Sequence, residues 1–253
     1  MIRFVKRHAL RFIILTYFIL LIIAGIAEDA ELQVVVFTFF FTILIVTPWL
    51  IWQIRSLLRL KNEKSKTELL HLQSQVNPHF FFNTLNNLYG LIETDPKKAG
   101  KLVLKLSDMM RYSIYEGEKE TVTIKEEIDY LKNYIELHKM RYRKKIDVQF
   151  DHHIIDESLK VMPLLFILLL ENAFKHGVEN LREKAYVKIY LSTSDSEIHF
   201  TIENNFDKEA LSEEKGIGIK NLKRRLELAY PRRHSLSISS SGDIYKAQLT
   251  LKK

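Results

Sequence analysis

Two apolar runs, Phe12 to Ala27 and Val34 to Ile54, fill most of the first 54 residues and constrain the fold more than anything after them. A membrane-spanning helix needs about 20 residues at about 1.5 Å each. The second run, with Pro48 inside it, meets that length; the first meets it if Arg11 snorkels. Between them lies the acidic turn Glu28-Asp29-Ala30-Glu31-Leu32-Gln33, too short to fold by itself. Arg3, Lys6, Arg7 and Arg11 precede the first run, and Arg55, Arg59, Lys61, Lys64 and Lys66 follow the second. The positive-inside rule then predicts two transmembrane helices with both termini in the cytoplasm, a multi-pass protein of the inner (cytoplasmic) membrane in contact with lipid. A cleaved secretory signal ending near Gly25-Ile26-Ala27 is the competing reading of the first run, and its length disfavours it. No folded extracytoplasmic domain is expected, so a stimulus has to arrive through the bilayer, the spans or a bound partner. These flanking cations supply much of the net charge of +7, and no direct nucleic-acid partner is expected. The chain has no cysteine, which excludes disulfides and thiolate metal sites.

From Ser56 the chain turns charged, and Leu69, Leu72 and Val76 recur at helical spacing in a coupling helix. Phe81, Leu85, Leu88 and Ile92 continue such a stripe after a break in register that contains Asn77-Pro78-His79. A proline inside a helix removes a donor and bends it, which can lift the next side chain out of regular packing. After the turn Thr94-Asp95-Pro96, residues 97–115 predict a second amphipathic helix with Leu102, Leu106, Met109 and Met110 on one side. Two such antiparallel helices cannot bury their stripes alone, so a homodimer through a four-helix bundle is expected. A third helix is predicted over 125–143.

The string Gln73-Ser74-Gln75-Val76-Asn77-Pro78-His79-Phe80-Phe81-Phe82-Asn83-Thr84-Leu85-Asn86-Asn87-Leu88 closely resembles the phosphoacceptor box of the LytS/YehU-type sensor histidine kinases. The resemblance implies that His79 accepts a phosphoryl group from ATP, with Asn83 in its catalytic surroundings. It also implies a response regulator, possibly of the LytTR type, as the protein that receives the group.

Beyond residue 145 apolar residues alternate in five short stretches: Ile146/Val148/Phe150, Val187/Ile189/Leu191, Ile198/Phe200/Ile202, Leu236/Ile238 and Tyr245/Ala247/Leu249/Leu251. Helical patterns lie at 164–176 and 219–230. Strands with helices on one face predict an α/β sandwich, and the order suits the GHKL (Bergerat) ATPase type. Three regions result: a membrane anchor (1–54), a helical linker, hairpin dimerisation and phosphoacceptor region (55–145), and a GHKL ATP-binding domain (146–253).

Within Leu170-Glu171-Asn172-Ala173-Phe174-Lys175-His176-Gly177, helical spacing gathers Glu171, Asn172, Lys175 and His176 at the end of an apolar helix. An amide oxygen is a hard ligand and the cations offset phosphate charge, so such a cluster can hold Mg²⁺ and the phosphates it bridges. Resemblance to the family's N box implies Asn172 as the Mg²⁺ ligand, with Lys175 and His176 near ATP. Gly216-Ile217-Gly218-Ile219-Lys220-Asn221 leads into the last helix, where glycines permit close approach and free amides favour phosphate. The polar stretch 205–215 before it is long enough to be a lid.

Two positions depart from the wider superfamily pattern. Asn204 stands where an aspartate accepts a bond from the adenine amino group, and a neutral amide binds it less strongly. Phe80 stands where many histidine kinases carry an acid beside the phosphoacceptor, which leaves Glu171 as the candidate base. These departures keep an alternative open, a pseudokinase membrane scaffold that controls a partner without phosphotransfer.

Overall fold

The computed structural model describes residues 19, 22, 30–73, 78–142, 146–179, 181, 183–207 and 217–253. The chain divides into two compact units, Met1–Ser65 and Lys66–Lys253.

In the first unit, α1 (Ala30–Phe41) passes through a π turn (Thr42–Val46) into α2 (Thr47–Gln73). The Thr38 and Thr42 hydroxyls donate back to the carbonyls of Val34 and Thr38, so polar side chains in this apolar stretch satisfy themselves within the helix. Among the described residues no helix is long and apolar enough to cross a membrane. The second apolar run is shared among the short α1, the π turn and the opening of α2, which then turns charged. Of the first run only Ile19 and Ile22 are described, both exposed.

The second unit begins in the last turns of α2 and continues with a hairpin, α3 (Pro78–Thr94) and α4 (Pro96–Arg111). Pro78 is the first described residue of α3, and the bend expected at the break in register falls at 74–77, outside the described residues. Asp95 caps α4 by accepting from the Lys98 amide at 3.0 Å, with Pro96 at the first helical position. A π turn (Tyr112–Glu116) ends the hairpin, and Gly117 is required there because a Cβ would lie 2.3 Å from the Ser113 carbonyl oxygen.

Next come β1 (Val122–Thr123) and α5 (Ile124–Arg141), which starts on a capping box in which Thr123 and Glu126 bond each other's backbone amides. β1 pairs with β3 (Lys160–Val161) in a small antiparallel ribbon that the alternation of apolar residues does not reveal.

β2 (Asp147–His153), β4 (Tyr186–Thr193), β5 (Glu197–Asn205), β6 (His234–Ser241) and β7 (Ile244–Lys252) form one sheet in the order β2-β4-β5-β7-β6. Only β2 and β4 run parallel. Val187, Ile189 and Leu191, then Ile198, Phe200 and Ile202, then Ala247, Leu249 and Leu251 are buried on one face. That face is covered by α6 (Ile167–Ala173), its continuation as a π turn (Phe174–Val178), and α7 (Ile217–Ala229). All five strands fall where the period-2 pattern puts them, and the α/β sandwich is present; α6 starts three residues later than the apolar pattern implies.

One buried acid joins these parts. Glu127, on the inner face of α5, accepts from the Tyr112 hydroxyl and the Leu164 amide at 2.7 Å each, and from the Leu165 and Phe166 amides. It thereby satisfies backbone donors leading into α6. Burial raises its pKa, while these four donors pull the other way. Removing the carboxylate leaves the donors buried and unpaired, at about 1–3 kcal/mol each. Glu127→Ala is expected to lose about 3 kcal/mol or more in urea unfolding, and Glu127→Gln, which keeps an acceptor, less.

Candidate functional site

The phosphoacceptor box meets the α/β half through an aromatic cluster. His79 is the second residue of α3. The next side chain, Phe80, is buried and stacks on Tyr134 and His138 of α5, with ring centroids 4.7 and 5.1 Å away. Tyr134 and His138 in turn contact Phe174, at 5.6 and 4.4 Å, in the π turn that carries Lys175 and His176. The end of α5 is fixed alongside, since Tyr142 and Arg141 both bond Glu179. Position 80 is thus a docking ring rather than an acid. Asn83 lies one helical turn after His79 and is half-buried.

The candidate nucleotide residues fall at one end of the sheet. Asn204, on β5, is 1% exposed; its amide nitrogen donates to the Asn205 carbonyl at 3.0 Å and its Oδ1 has no donor among the described residues. Gly177 backs directly onto it: a Cβ there would lie 2.4 Å from Asn204 Nδ2 and 2.6 Å from the Asn205 carbonyl oxygen. Sequence reasoning quotes Gly177 without a role, and this contact supplies one. Burial raises the pKa of the Tyr245 hydroxyl and the neighbouring Asn172 side chain lowers it, and Tyr245 is the β7 neighbour paired with Asn204.

His176 is half-buried, and its pKa is lowered by burial and then by the Lys175 cation, which itself is exposed. Among the described residues nothing lies within 4 Å of the Gly218 Cβ position; Lys220 is exposed and Asn221 half-buried. Gly216 and lid residues 208–215 lie outside the described residues.

Glu171 acts electrostatically on α5 and α7. Burial raises the pKa of the Tyr130 and Tyr134 hydroxyls and the Glu171 charge raises them further, while the same charge acts on Arg225 of α7. Glu171 and the His79 box therefore converge on the same stretch of α5.

The site has features that fit nucleotide with a metal ion. A buried acceptor without a donor is costly, and an exocyclic amino group would satisfy the Asn204 oxygen. No cluster of three acidic or histidine side chains able to hold a metal exists among the described residues. Mg²⁺ is commonly held by one or two protein oxygens together with substrate phosphates, and the Asn172 amide oxygen is a hard ligand of that kind.

Sequence reasoning missed Glu127, His138 and Arg225. All three interrupt apolar stripes, and a polar residue on an apolar stripe was the available signal.

Comparison with known proteins follows this geometry. A family model described as Histidine kinase matches residues 67–146. Sensor protein LytS of Enterococcus faecalis is 31% identical over 178 residues, covering 65% of this chain and 30% of that protein. LytS of Staphylococcus saprophyticus is 32% identical over 186 residues, covering 68% and 32%. Sensor histidine kinase YpdA of Escherichia coli is 31% identical over 184 residues, also covering 68% and 32%. This chain spans about a third of the length of these curated relatives. A solved histidine kinase domain from Erythrobacter litoralis has a TM-score of 0.42 at 15% identity, covering 75% of this chain and 95% of that one.

The helical box lies within the stretch that the Histidine kinase model matches, and the class the chain falls in is histidine kinase. Within that class the chain belongs to the LytS-type sensor histidine kinase family.

His138 gives this docking a pH dependence. Both its ring nitrogens are buried without partners among the described residues, and burial, then the Arg141 cation, pull its pKa down from 6.5 to about 3. Tyr134 and Tyr142 are the other titratable groups packed on its ring. The unfolded chain takes up this proton below about 6.5 while the folded chain resists it, so stability falls as pH drops from about 6.5 towards about 3. The slope approaches about 1.4 kcal/mol per pH unit. His138→Phe should flatten that slope in denaturation measured across this window.

Proposed function

We propose that this chain is a membrane sensor histidine kinase that uses ATP to phosphorylate His79 and passes the phosphoryl group to an aspartate on a response regulator of the LytTR type. The observation that carries the reading is Phe80, stacked through Tyr134 and His138 onto Phe174, which brings the His79 box beside the Lys175–His176 turn. Family membership supports the same reading.

In this mechanism an imidazole nitrogen of His79 attacks the γ-phosphorus of ATP in line, giving phosphohistidine and ADP. Glu171 takes the imidazole proton, and Asn83 orients the histidine from one turn away. Asn204 accepts from the adenine amino group. Lys175, His176, Lys220 and Asn221, with the backbone at Gly216 and Gly218, hold the phosphates. A Mg²⁺ ion bound at Asn172 would offset phosphate charge. Most of the rate then comes from positioning and charge stabilisation.

The functional protein is proposed as a homodimer. On α3, Phe82, Leu85, Tyr89 and Ile92 form an exposed apolar row, and α4 adds Val103, Leu104 and Met110. A second copy covering these rows completes a four-helix bundle. Residues 1–54 are proposed as an anchor whose two apolar runs cross the inner membrane and meet lipid, with 55–145 and 146–253 in the cytoplasm.

A second reading, a pseudokinase membrane scaffold, is favoured by the neutral amide at Asn204. Purified chain with γ-labelled ATP and Mg²⁺ separates the two. The kinase gives acid-labile, alkali-stable label that His79→Gln abolishes, and Glu171→Gln lowers labelling far more than ATP binding. Tight ATP binding without label would support the scaffold and contradict the kinase.

A further inference from the structure

Arg225, on α7, donates to the Leu72 carbonyl of α2 through Nη2, while its Nη1 donates to the Leu164 carbonyl at 2.9 Å. One residue earlier, Arg224 grips Glu68 of α2 with two bonds, Nε to Oε1 at 2.7 Å and Nη2 to Oε2 at 2.9 Å. A bidentate guanidinium–carboxylate pair fixes orientation as well as distance.

Arg225 is 2% exposed, and burial lowers its pKa from 12.5 to about 10 against the opposing charges of Glu171 and Glu127. A guanidinium is rarely buried so deeply for packing alone. Leu164 is strained as well, with φ at 55° in the left-handed region. Both of its backbone polar groups are held, the amide by Glu127 and the carbonyl by Arg225. Arg225 therefore joins three segments: the last turn of α2 ahead of His79, the loop that leads into α6, and α7 itself.

We infer that Arg224 and Arg225 latch the coupling helix α2 onto α7 and so link the position of α2 to occupancy of the nucleotide site. The inference rests on the nucleotide reading proposed above, since α7 follows Gly216 and Gly218 and α6 carries Asn172. With the latch closed, Arg225 holds the approaches to α6 and α7 in fixed relation, so the site is organised before nucleotide arrives. A displacement of α2 that breaks the Glu68 pair loosens α7 and weakens nucleotide binding. The linkage is reciprocal: nucleotide binding strengthens the hold on α2 by the same factor. Neither Arg224 nor Glu68 belongs to the proposed nucleotide site, so their effect on it passes through the helices.

The test uses a charge swap in the full chain. MgATP affinity is measured for the unaltered protein, Arg224→Glu, Glu68→Arg and the double variant. Hydrogen exchange over residues 66–73 is followed with and without MgATP. Coupling of ordinary size predicts at least about a fivefold loss of affinity in each single variant, with recovery in the double. MgATP should slow exchange over 66–73 in the unaltered chain and the double variant, but not in the singles. Unchanged affinity in both single variants, or no recovery in the double, overturns the linkage alone. Failure of the unaltered chain to bind MgATP overturns the nucleotide reading and the linkage with it.

Discussion

The carboxylate of Glu127 lies where the hairpin, α5 and the loop leading into α6 meet. Burial raises its pKa, and a tyrosine hydroxyl and consecutive backbone amides offset part of the cost of taking the carboxyl group out of water. Because these amides precede α6, Glu127 also sets where that helix starts and hence where Glu171 and Asn172 project. Arg225 uses the carbonyl of Leu164, one of the same residues, to bring in α7 and the end of α2. Two buried ionisable side chains on a single strained loop thus position the helices around the candidate nucleotide site.

The aromatic cluster adds the second half of the arrangement. Phe80 gives up the place of an acid beside His79 and becomes the ring by which the box docks on α5. Glu171 acts electrostatically on the same tyrosine that receives Phe80, which is consistent with its proposed use as the base. The cluster is apolar except for His138, whose nitrogens, without partners among the described residues, make the docking sensitive to protonation.

The sheet was legible because its strands are buried on one face: Val187/Ile189/Leu191 and Ile198/Phe200/Ile202 alternate without exception. The helical stripes were legible for the same reason, but their partners were not. Leu102 and Leu106 face the core while Leu85 and Ile92 on the facing helix are exposed, and periodicity cannot tell an internal seam from one awaiting a second copy. Glu127 and Arg225 were invisible as ties because their partners are mostly backbone groups, which carry no sequence signature. The break before His79 was visible as a loss of helical register, and it falls at 74–77, outside the described residues. Of the candidate site, Asn172 and Asn204 do meet at one end of the sheet, through Tyr245.

The central claim is that docking of the box through Phe80 carries His79 to the nucleotide. It is tested most directly by single-turnover autophosphorylation of Phe80→Ala alongside its MgATP affinity. The account predicts that phosphorylation of His79 falls by at least about tenfold, the effect of about 1.4 kcal/mol, while MgATP affinity is retained. Unchanged phosphorylation, or equal loss of both, would contradict it.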